Sequence, residues 1–153
     1  GRTRELNFFA LAGALSLADL PGYGYARIER KLSEQWTKLI FQYLRGRASL
    51  KRVMLLVDSR HGLKPSDEEA MTAMDEAAVS YQIVLTKIDK LKAAELAAVL
   101  KATAARAEKH PAAHPVIMPT SSETGFGIAQ LRGLVAAASG LDATSLPGYK
   151  PAT

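Results

Sequence analysis

The chain has 153 residues, 48% of them apolar, which is enough for one globular domain with a buried core. It has no cysteine, which excludes disulfides and thiolate metal sites and is compatible with a reducing cytoplasm. No apolar run is long enough to span a membrane. The net charge is +5, and the three histidines, dispersed among prolines and charged residues, are interpreted as surface groups rather than zinc ligands.

The positive charge lies in the first part of the chain. Residues 1–60 contain 11 Lys and Arg against 5 Asp and Glu, whereas residues 61–153 contain 9 against 10. A basic region of this kind can give a polyanion such as RNA sequence-independent, salt-sensitive affinity. The alternative is a solvated helix face, which is the commoner position of Lys and Arg.

The elements predicted in chain order alternate between strands and helices. A hairpin of Glu5–Leu11 and Leu15–Asp19 comes first, followed by a Gly-Tyr loop and a helix of about residues 28–44. The later elements are strand Arg52–Asp58, a helix from Ser66 to about Val79, strand Tyr81–Thr86, helix Ala93–Lys109, strand Pro115–Met118 and a helix of about Gly127–Ser139. This order predicts an α/β fold with a mainly parallel sheet and ligand loops at the C-terminal ends of its strands.

The most informative of these strand ends is Thr86-Lys87-Ile88-Asp89. A carboxylate at Asp89 can accept hydrogen bonds from the N1–H and exocyclic amine of guanine, while adenine presents the opposite pattern and would leave the charge unpaired. The Lys87 stem can lie along the face of the base. The alternative interpretation is a polar turn with a solvated Lys–Asp pair.

A second strand ends at Asp19-Leu20-Pro21-Gly22. Asp19 can hold a magnesium-bound water, and the N–H of Gly22 can approach a terminal phosphate because no Cβ blocks it. The alternative is a turn capped by the aspartate.

A third strand ends in the run from Thr120 to Gly125, which includes Ser121, Ser122 and Glu123. Hydroxyls and backbone amides in this loop can receive the guanine carbonyl, or Ser121 or Ser122 can be the N-cap of the last helix. Asp58-Ser59-Arg60 also ends a strand and is interpreted as a structural Asp–Arg turn.

With these motifs in this order, the chain resembles the EngB family of bacterial ribosome-assembly GTPases. The resemblance covers about residues 1–135. It is carried by Gly1-Arg2-Thr3-Arg4-Glu5-Leu6-Asn7-Phe8-Phe9, Asp19-Leu20-Pro21-Gly22-Tyr23-Gly24-Tyr25, Asp58-Ser59-Arg60-His61, Thr86-Lys87-Ile88-Asp89-Lys90 and Ser121-Ser122-Glu123. It implies a P-loop-NTPase-type three-layer α/β/α sandwich that binds GTP or GDP with Mg²⁺.

The resemblance also implies roles for single residues. Thr3 would coordinate magnesium, and Asp19 would hold it through water. The residues that would contact GTP are Gly1, Arg2, Thr3, Arg4, Glu5, Asp19, Leu20, Pro21, Gly22, Thr86, Lys87, Ile88, Asp89, Thr120, Ser121 and Ser122. Tyr23 stands where Ras-like enzymes have the glutamine that orients water, so no catalytic residue is assigned and slow hydrolysis, stimulated by the ribosome, is implied.

One departure from the family is large, because no G-x-x-x-x-G-K-[ST] phosphate loop occurs in these residues. In the family this loop precedes the segment that opens the chain, together with the first strand and first helix. We therefore expect residues 1–140 to be a GTPase domain truncated at its N-terminus, inactive by itself, with a gap in its sheet, and residues 141–153 to be a tail.

The function implied by the resemblance is a guanine-nucleotide switch in assembly of the large ribosomal subunit, linked to cell division. Its expected partners are the precursor subunit and ribosomal RNA, with a cytoplasmic, monomeric protein and no membrane. A different class remains open: a non-enzymatic RNA- or protein-binding module on a degenerate GTPase scaffold. An α/β phosphatase or dehydrogenase fits the fold but has no matching motif.

Overall fold

The structure is a computed structural model, and it describes residues 7–11, 15–20, 43–44 and 47–141. The chain divides into two compact units, Gly1–Ala48 and Ser49–Thr153, which are described separately below. Among the predictions, the Gly-Tyr loop, residues 28–42 of the helix of about residues 28–44, and the C-terminal tail after residue 141 fall outside the described residues, and residues 43–44 are helical.

The first unit contains an antiparallel hairpin of strands β1 (Asn7–Leu11) and β2 (Leu15–Asp19). Its register pairs Asn7 with Asp19 and Phe9 with Leu17, so the hairpin predicted from the sequence is confirmed where it is described. Near it, the Arg47 guanidinium lies 4.3 Å from the ring centroid of Tyr43 and 5.8 Å from that of Phe8. These distances are typical of cation–π contacts.

The second unit is built on a parallel sheet in the order β3 (Val53–Asp58), β4 (Tyr81–Thr86), β5 (Met118–Pro119). Ile83 and Val84 are both fully buried. Since neighbouring side chains of a strand point to opposite faces, both faces of β4 are covered, as a three-layer arrangement requires.

Three helices belong to this unit: α1 (Pro65–Glu76), α2 (Ala93–Ala107) and α3 (Ile128–Ala138). Helix α1 begins one residue earlier than predicted, because Pro65 occupies its first turn and the Asp67 carboxylate accepts the Lys64 N–H at 2.7 Å. The equivalent bond in α2 joins Glu95 to the Lys92 N–H at 2.7 Å. None of the helices described is long and apolar enough to cross a membrane.

The last strand is shorter than predicted and begins later, at Met118 rather than Pro115. The carbonyl of Val116 accepts a hydrogen bond from the Gln82 side chain at 3.1 Å, and the ladder to β4 pairs only Met118 and Pro119. Side-chain bonding therefore replaces backbone pairing in the first part of this segment.

The described strands form two sheets rather than one, with β3 paired to β4 on one side only. Leu56, in the middle of β3, is 62% exposed although its neighbours Leu55 and Val57 are buried. The continuous sheet that would have contradicted the expected gap is not present among the described strands.

Candidate functional site

The loops that follow β4 and β5 are held together by backbone hydrogen bonds. Thr120 donates to the carbonyl oxygen of Leu85 through both its N–H, at 2.7 Å, and its hydroxyl, at 3.0 Å. In return the N–H of Ile88 donates to the Thr120 carbonyl at 3.3 Å. These contacts extend the β4–β5 ladder beyond the strands and bring two of the predicted motifs to one edge of the sheet.

The chain turns sharply after β4, at Lys87, which has a left-handed conformation with φ 60° and ψ 33°. A short 3₁₀ turn, Ile88–Lys90, follows, and the Ile88 side chain is buried. A left-handed conformation is uncommon for a side chain with a Cβ, and such residues are enriched at functional sites. The turn anchors Ile88 inside the protein and leaves Lys87 and Asp89 at the rim.

Asp89 is positioned by the loop that follows β5. The Ser121 hydroxyl donates to Oδ1 of Asp89 at 2.6 Å, and the Lys90 ammonium lies 2.9 Å from Oδ2. The Asp89 side chain is only 12% exposed. The Ser121 hydroxyl, followed by the Lys90 ammonium, lowers the pKa of this carboxyl below its ordinary value, so it is ionised at neutral pH.

The Asp89 carboxylate still has lone pairs to offer. Two carboxylate oxygens can accept about four hydrogen bonds, and two side chains, those of Ser121 and Lys90, donate to this carboxylate. A fixed, ionised carboxylate with spare acceptor capacity is what two neighbouring N–H groups of a guanine would require.

Ser121 is fully buried and organises a tight loop. Its hydroxyl accepts the Thr124 N–H at 3.1 Å, its carbonyl accepts the Gly125 N–H at 2.9 Å, and its own N–H donates to the Phe126 carbonyl at 3.0 Å. The N-cap of α3 is Gly127, so the alternative that Ser121 or Ser122 caps this helix is wrong. The loop closes on itself between Ser121 and Phe126, directly before the N-cap.

Gly127 allows this loop to pack against β5. It has φ +73°, and a Cβ placed there would lie 2.2 Å from the carbonyl oxygen of Pro119. Only glycine fits so close to a backbone carbonyl in this conformation.

A second carboxylate, Asp58, lies at the same edge of the sheet. Arg60 donates to it from its backbone N–H at 3.1 Å, from Nε at 2.9 Å and from Nη2 at 2.7 Å. The structural Asp–Arg turn predicted from the sequence is therefore confirmed. The structure adds a contact that sequence reasoning missed, because the Lys87 ammonium also lies 2.9 Å from Oδ2 of Asp58.

The predicted nucleotide residues fall into three groups. The structure brings together those of the β4 and β5 loops: Thr86, Lys87, Ile88, Asp89, Thr120, Ser121 and Ser122. Asp19 and Leu20 lie at the end of β2, in the other unit. Gly1, Arg2, Thr3, Arg4, Glu5, Pro21, Gly22 and Tyr23 lie outside the described residues.

Not every residue of the first group offers a polar group to a ligand. The Thr86 hydroxyl donates to the Val57 carbonyl at 3.2 Å, and the Thr120 hydroxyl donates to Leu85, so both bind the sheet. Ser122 is exposed. For magnesium, no group of three or more His, Asp or Glu that could hold a metal occurs among the described residues, where Asp19 alone represents the predicted ligands.

Comparison with known proteins identifies the class and then the family. The family model of the elongation factor Tu GTP-binding domain matches residues 39–139. A solved structure of a probable GTP-binding protein EngB superposes with a TM-score of 0.72 at 20% identity, covering 90% of this chain and 80% of that chain. Elongation factor SelB from Methanococcus maripaludis, in complex with the GTP analogue GppNHp, gives a TM-score of 0.67 at 23% identity, covering 89% and 28%. The fold is therefore that of a P-loop GTPase domain.

Closer relatives identify the family. A probable GTP-binding protein EngB from Rhodospirillum rubrum is 55% identical over 142 residues, which cover 90% of this chain and 62% of that protein. Another, from Rhizobium etli, is 49% identical over 150 residues, which cover 92% and 69%. The chain belongs to the EngB family of GTP-binding proteins. It spans about two thirds of the length of these relatives, between 62% and 69%.

Proposed function

We propose that this chain forms the base-recognition part of a guanine-nucleotide switch. Asp89 would accept the N1–H and exocyclic amine of guanine, the Lys87 stem would support the face of the base, and the 120–125 loop would receive the guanine carbonyl. The observation that carries the proposal is the Asp89 carboxylate, held by the Ser121 hydroxyl at 2.6 Å and ionised, yet with acceptor capacity to spare.

Guanine selectivity follows from charge. A guanine donates two N–H groups to the carboxylate, whereas adenine has an acceptor at N1 and would face the negative charge with a lone pair. A nearly buried charge left without a donor is costly, so the same site would discriminate strongly against ATP. The names of the relatives, all GTP-binding proteins, support this choice of ligand.

The first experiment is a titration of fluorescent GDP with the protein expressed from its whole gene, followed by competition with GTP and ATP. We expect GTP to displace the probe and ATP to leave it bound at about a hundredfold excess. Equal displacement by both would contradict the proposed site. If the protein binds neither nucleotide, the alternative of a non-enzymatic RNA- or protein-binding module is favoured instead.

We propose that magnesium accompanies the nucleotide, with Thr3 as a ligand and Asp19 holding the ion through water, and that residues 1–140 belong to one GTPase domain. A magnesium ion would neutralise phosphate charge, which is the chemistry it supplies in enzymes of this class. Asp19 supports this assignment by its position at the end of β2. With Tyr23 in place of a glutamine, we expect slow intrinsic hydrolysis, measurable as phosphate release from GTP.

The proposed biological role is assembly of the large ribosomal subunit, with a link to cell division, by a cytoplasmic monomer. Its support is the charge distribution, with 11 basic against 5 acidic residues in residues 1–60. We expect cosedimentation with precursor subunits that strengthens with a GTP analogue and weakens steeply with salt. Cosedimentation that depends neither on the bound nucleotide nor on the salt concentration would contradict this role.

A further inference from the structure

Lys87 and Asp89, two residues apart in the β4 loop, reach towards opposite neighbours of β4. The Asp89 carboxylate is bound by Ser121, in the loop after β5, whereas the Lys87 ammonium is bound by Asp58, at the end of β3. Because the sheet order is β3-β4-β5, these two side chains lie on either side of the β4 terminus. The Lys87 stem is therefore drawn along the edge of the sheet instead of extending freely into solvent.

The position of Asp58 is fixed by contacts other than the one with Lys87. The parallel register pairs Asp58 with Thr86, and the Ser59 N–H donates to the Thr86 carbonyl at 3.0 Å, so this strand end is adjacent to the β4 loop. Arg60 then fixes the carboxylate plane with its fork of N–H groups. Such a carboxylate presents its remaining acceptor site to Lys87 in one orientation.

We propose that Asp58 is a positioning residue for nucleotide binding, which holds the Lys87 ammonium so that the lysine stem forms a preorganised support for the purine ring. This inference rests on the proposed function. A lysine side chain has many rotamers, and ordering it only when the ligand arrives would cost affinity. The contact with Asp58 orders it beforehand.

The electrostatic setting agrees with this role. The side-chain hydrogen bond from Arg60 holds the pKa of the Asp58 carboxyl far below its ordinary value, and Lys87 lowers it further. Asp58 is therefore an anion throughout the neutral range, and its contact with the Lys87 ammonium, at 2.9 Å, is an ion pair.

The role differs from that of Asp89 in a measurable way. Stacking on an aliphatic stem does not depend on the hydrogen-bonding pattern of the base, so Asp58 should affect guanine and hypoxanthine nucleotides equally. Asp89 should distinguish them, because hypoxanthine lacks the exocyclic amine that donates to its carboxylate.

The test is a double-mutant cycle in the protein expressed from its whole gene, with Asp58→Asn, Lys87→Met and the double variant. Methionine retains the unbranched apolar stem and removes the ammonium. We expect each single variant to bind GDP and IDP about threefold to fivefold more weakly, with the GDP/IDP affinity ratio unchanged. The double variant should be no weaker than either single variant, because both remove the same contact.

Asp75→Asn is the matched control. Its carboxylate is as buried as that of Asp58, 16% against 21% exposed, and it binds His110 at 2.6 Å. It also accepts the N–H of Ala112, next to the first residue of β4, at the opposite end of the strand from the site. This variant should bind GDP like the wild type even if its melting temperature falls.

Three results would overturn the inference: wild-type affinity in Asp58→Asn, additive losses in the double variant, or a changed GDP/IDP ratio. The last would mean that Asp58 acts on Asp89 instead of Lys87. If Asp58→Asn does not fold, Arg60→Gln replaces it, and its expected loss of about twofold should vanish in the Lys87→Met background. A wild-type protein that binds no GDP would overturn both this inference and the proposed function, whereas failure of the cycle alone leaves the proposed function intact.

Discussion

Asp58 and Asp89 are two half-buried carboxylates at the same edge of the parallel sheet, and they are satisfied in different ways. Asp58 accepts from three donors of Arg60 and from the Lys87 ammonium, so its lone pairs are used by the protein itself. Asp89 accepts from one hydroxyl and one lysine. The acceptor sites of Asp58 are filled by protein donors, which hold the β3 and β4 loops together. Asp89 is held in place by the protein and can still accept hydrogen bonds from a ligand.

Burial and an ionised state do not by themselves identify a binding carboxylate. Both pKa values are lowered, Asp58 chiefly by the Arg60 side chain and Asp89 chiefly by the Ser121 hydroxyl. The distinguishing property is the acceptor capacity that remains after the internal contacts are counted. By this criterion Asp89 is the residue that we propose for base recognition, and Asp58 is the residue that we propose to support it.

The largest effect is expected from Asp89→Asn, which tests directly whether this carboxylate accepts hydrogen bonds from the base. The amide accepts the guanine N1–H but opposes the exocyclic amine with a donor of its own, so GDP affinity should fall about 100-fold. Xanthine carries a carbonyl at that position, so XDP should now bind more tightly than GDP. Competition titrations with both nucleotides measure this, and a variant that still prefers GDP would mean that another residue recognises the base.

Next in size is Gly127→Ala, which tests whether Asp89 depends on the packed loop that carries Ser121. The added Cβ would meet Pro119, and we expect a loss of about 3 kcal/mol in the free energy of unfolding and about tenfold weaker GDP binding. Gly125→Ala is the matched control, since its φ is also positive, +79°, but its Cβ would meet nothing within 4 Å. It should lose only about 1 kcal/mol. Urea unfolding compares them, and equal losses would contradict the packing argument.

Acid titration tests Asp58, the carboxylate whose acceptor sites are filled by protein donors. Asp58 has a folded-state pKa below its ordinary value of 3.8, so the folded state binds fewer protons there than the unfolded state. Its contribution to stability is therefore complete above about pH 5 and is lost progressively as the pH falls. Urea unfolding from pH 7 to about pH 3 should show a smaller loss of stability in Asp58→Asn than in the wild type. Parallel curves for the two proteins would mean that the Arg60 contact does not persist in solution.

The smallest effect is expected at the other end of β4, from Tyr81→Phe. The Tyr81 side chain is fully buried, and its hydroxyl has no hydrogen-bond partner in the described part of the chain. Unlike the two carboxylates, it is a polar group without a partner among the described residues, so its removal should leave the free energy of unfolding unchanged or raise it by up to about 1 kcal/mol.

The same variant should also differ from the wild type in the dependence of its stability on alkaline pH. Burial, followed by the charge of Asp75, raises the pKa of the Tyr81 phenol above its ordinary value of 10.0. The unfolded state then loses its proton first, so wild-type stability should decline above about pH 10 and Tyr81→Phe should decline less. Destabilisation by more than about 1 kcal/mol at neutral pH would show instead that the hydroxyl is satisfied.

Within the described residues, the sequence by itself determined which segments are strands and helices and where the polar loops begin. Continuous apolar runs are local signals that predicted β3 and β4 correctly to within one residue. The start of α1 was predicted less well, because its N-cap is Lys64 and its capping carboxylate is Asp67, ahead of the predicted start at Ser66. The motif at Thr86–Asp89 was visible for the same reason, because its meaning depends on four neighbouring residues at a strand end.

Only the tertiary structure decided how these loops meet. The pairing of Asp58 with Thr86 is a property of parallel register, which joins residues 28 positions apart, and no local pattern specifies it. The left-handed turn at Lys87, the hydrogen bond from Ser121 to Asp89 and the close approach of Gly127 to Pro119 likewise depend on packing between distant segments. The sequence therefore showed that carboxylates stand at these strand ends. It did not show that the acceptor sites of Asp58 are filled while Asp89 can still accept, because the hydrogen-bond donors to a carboxylate come from residues distant in the chain.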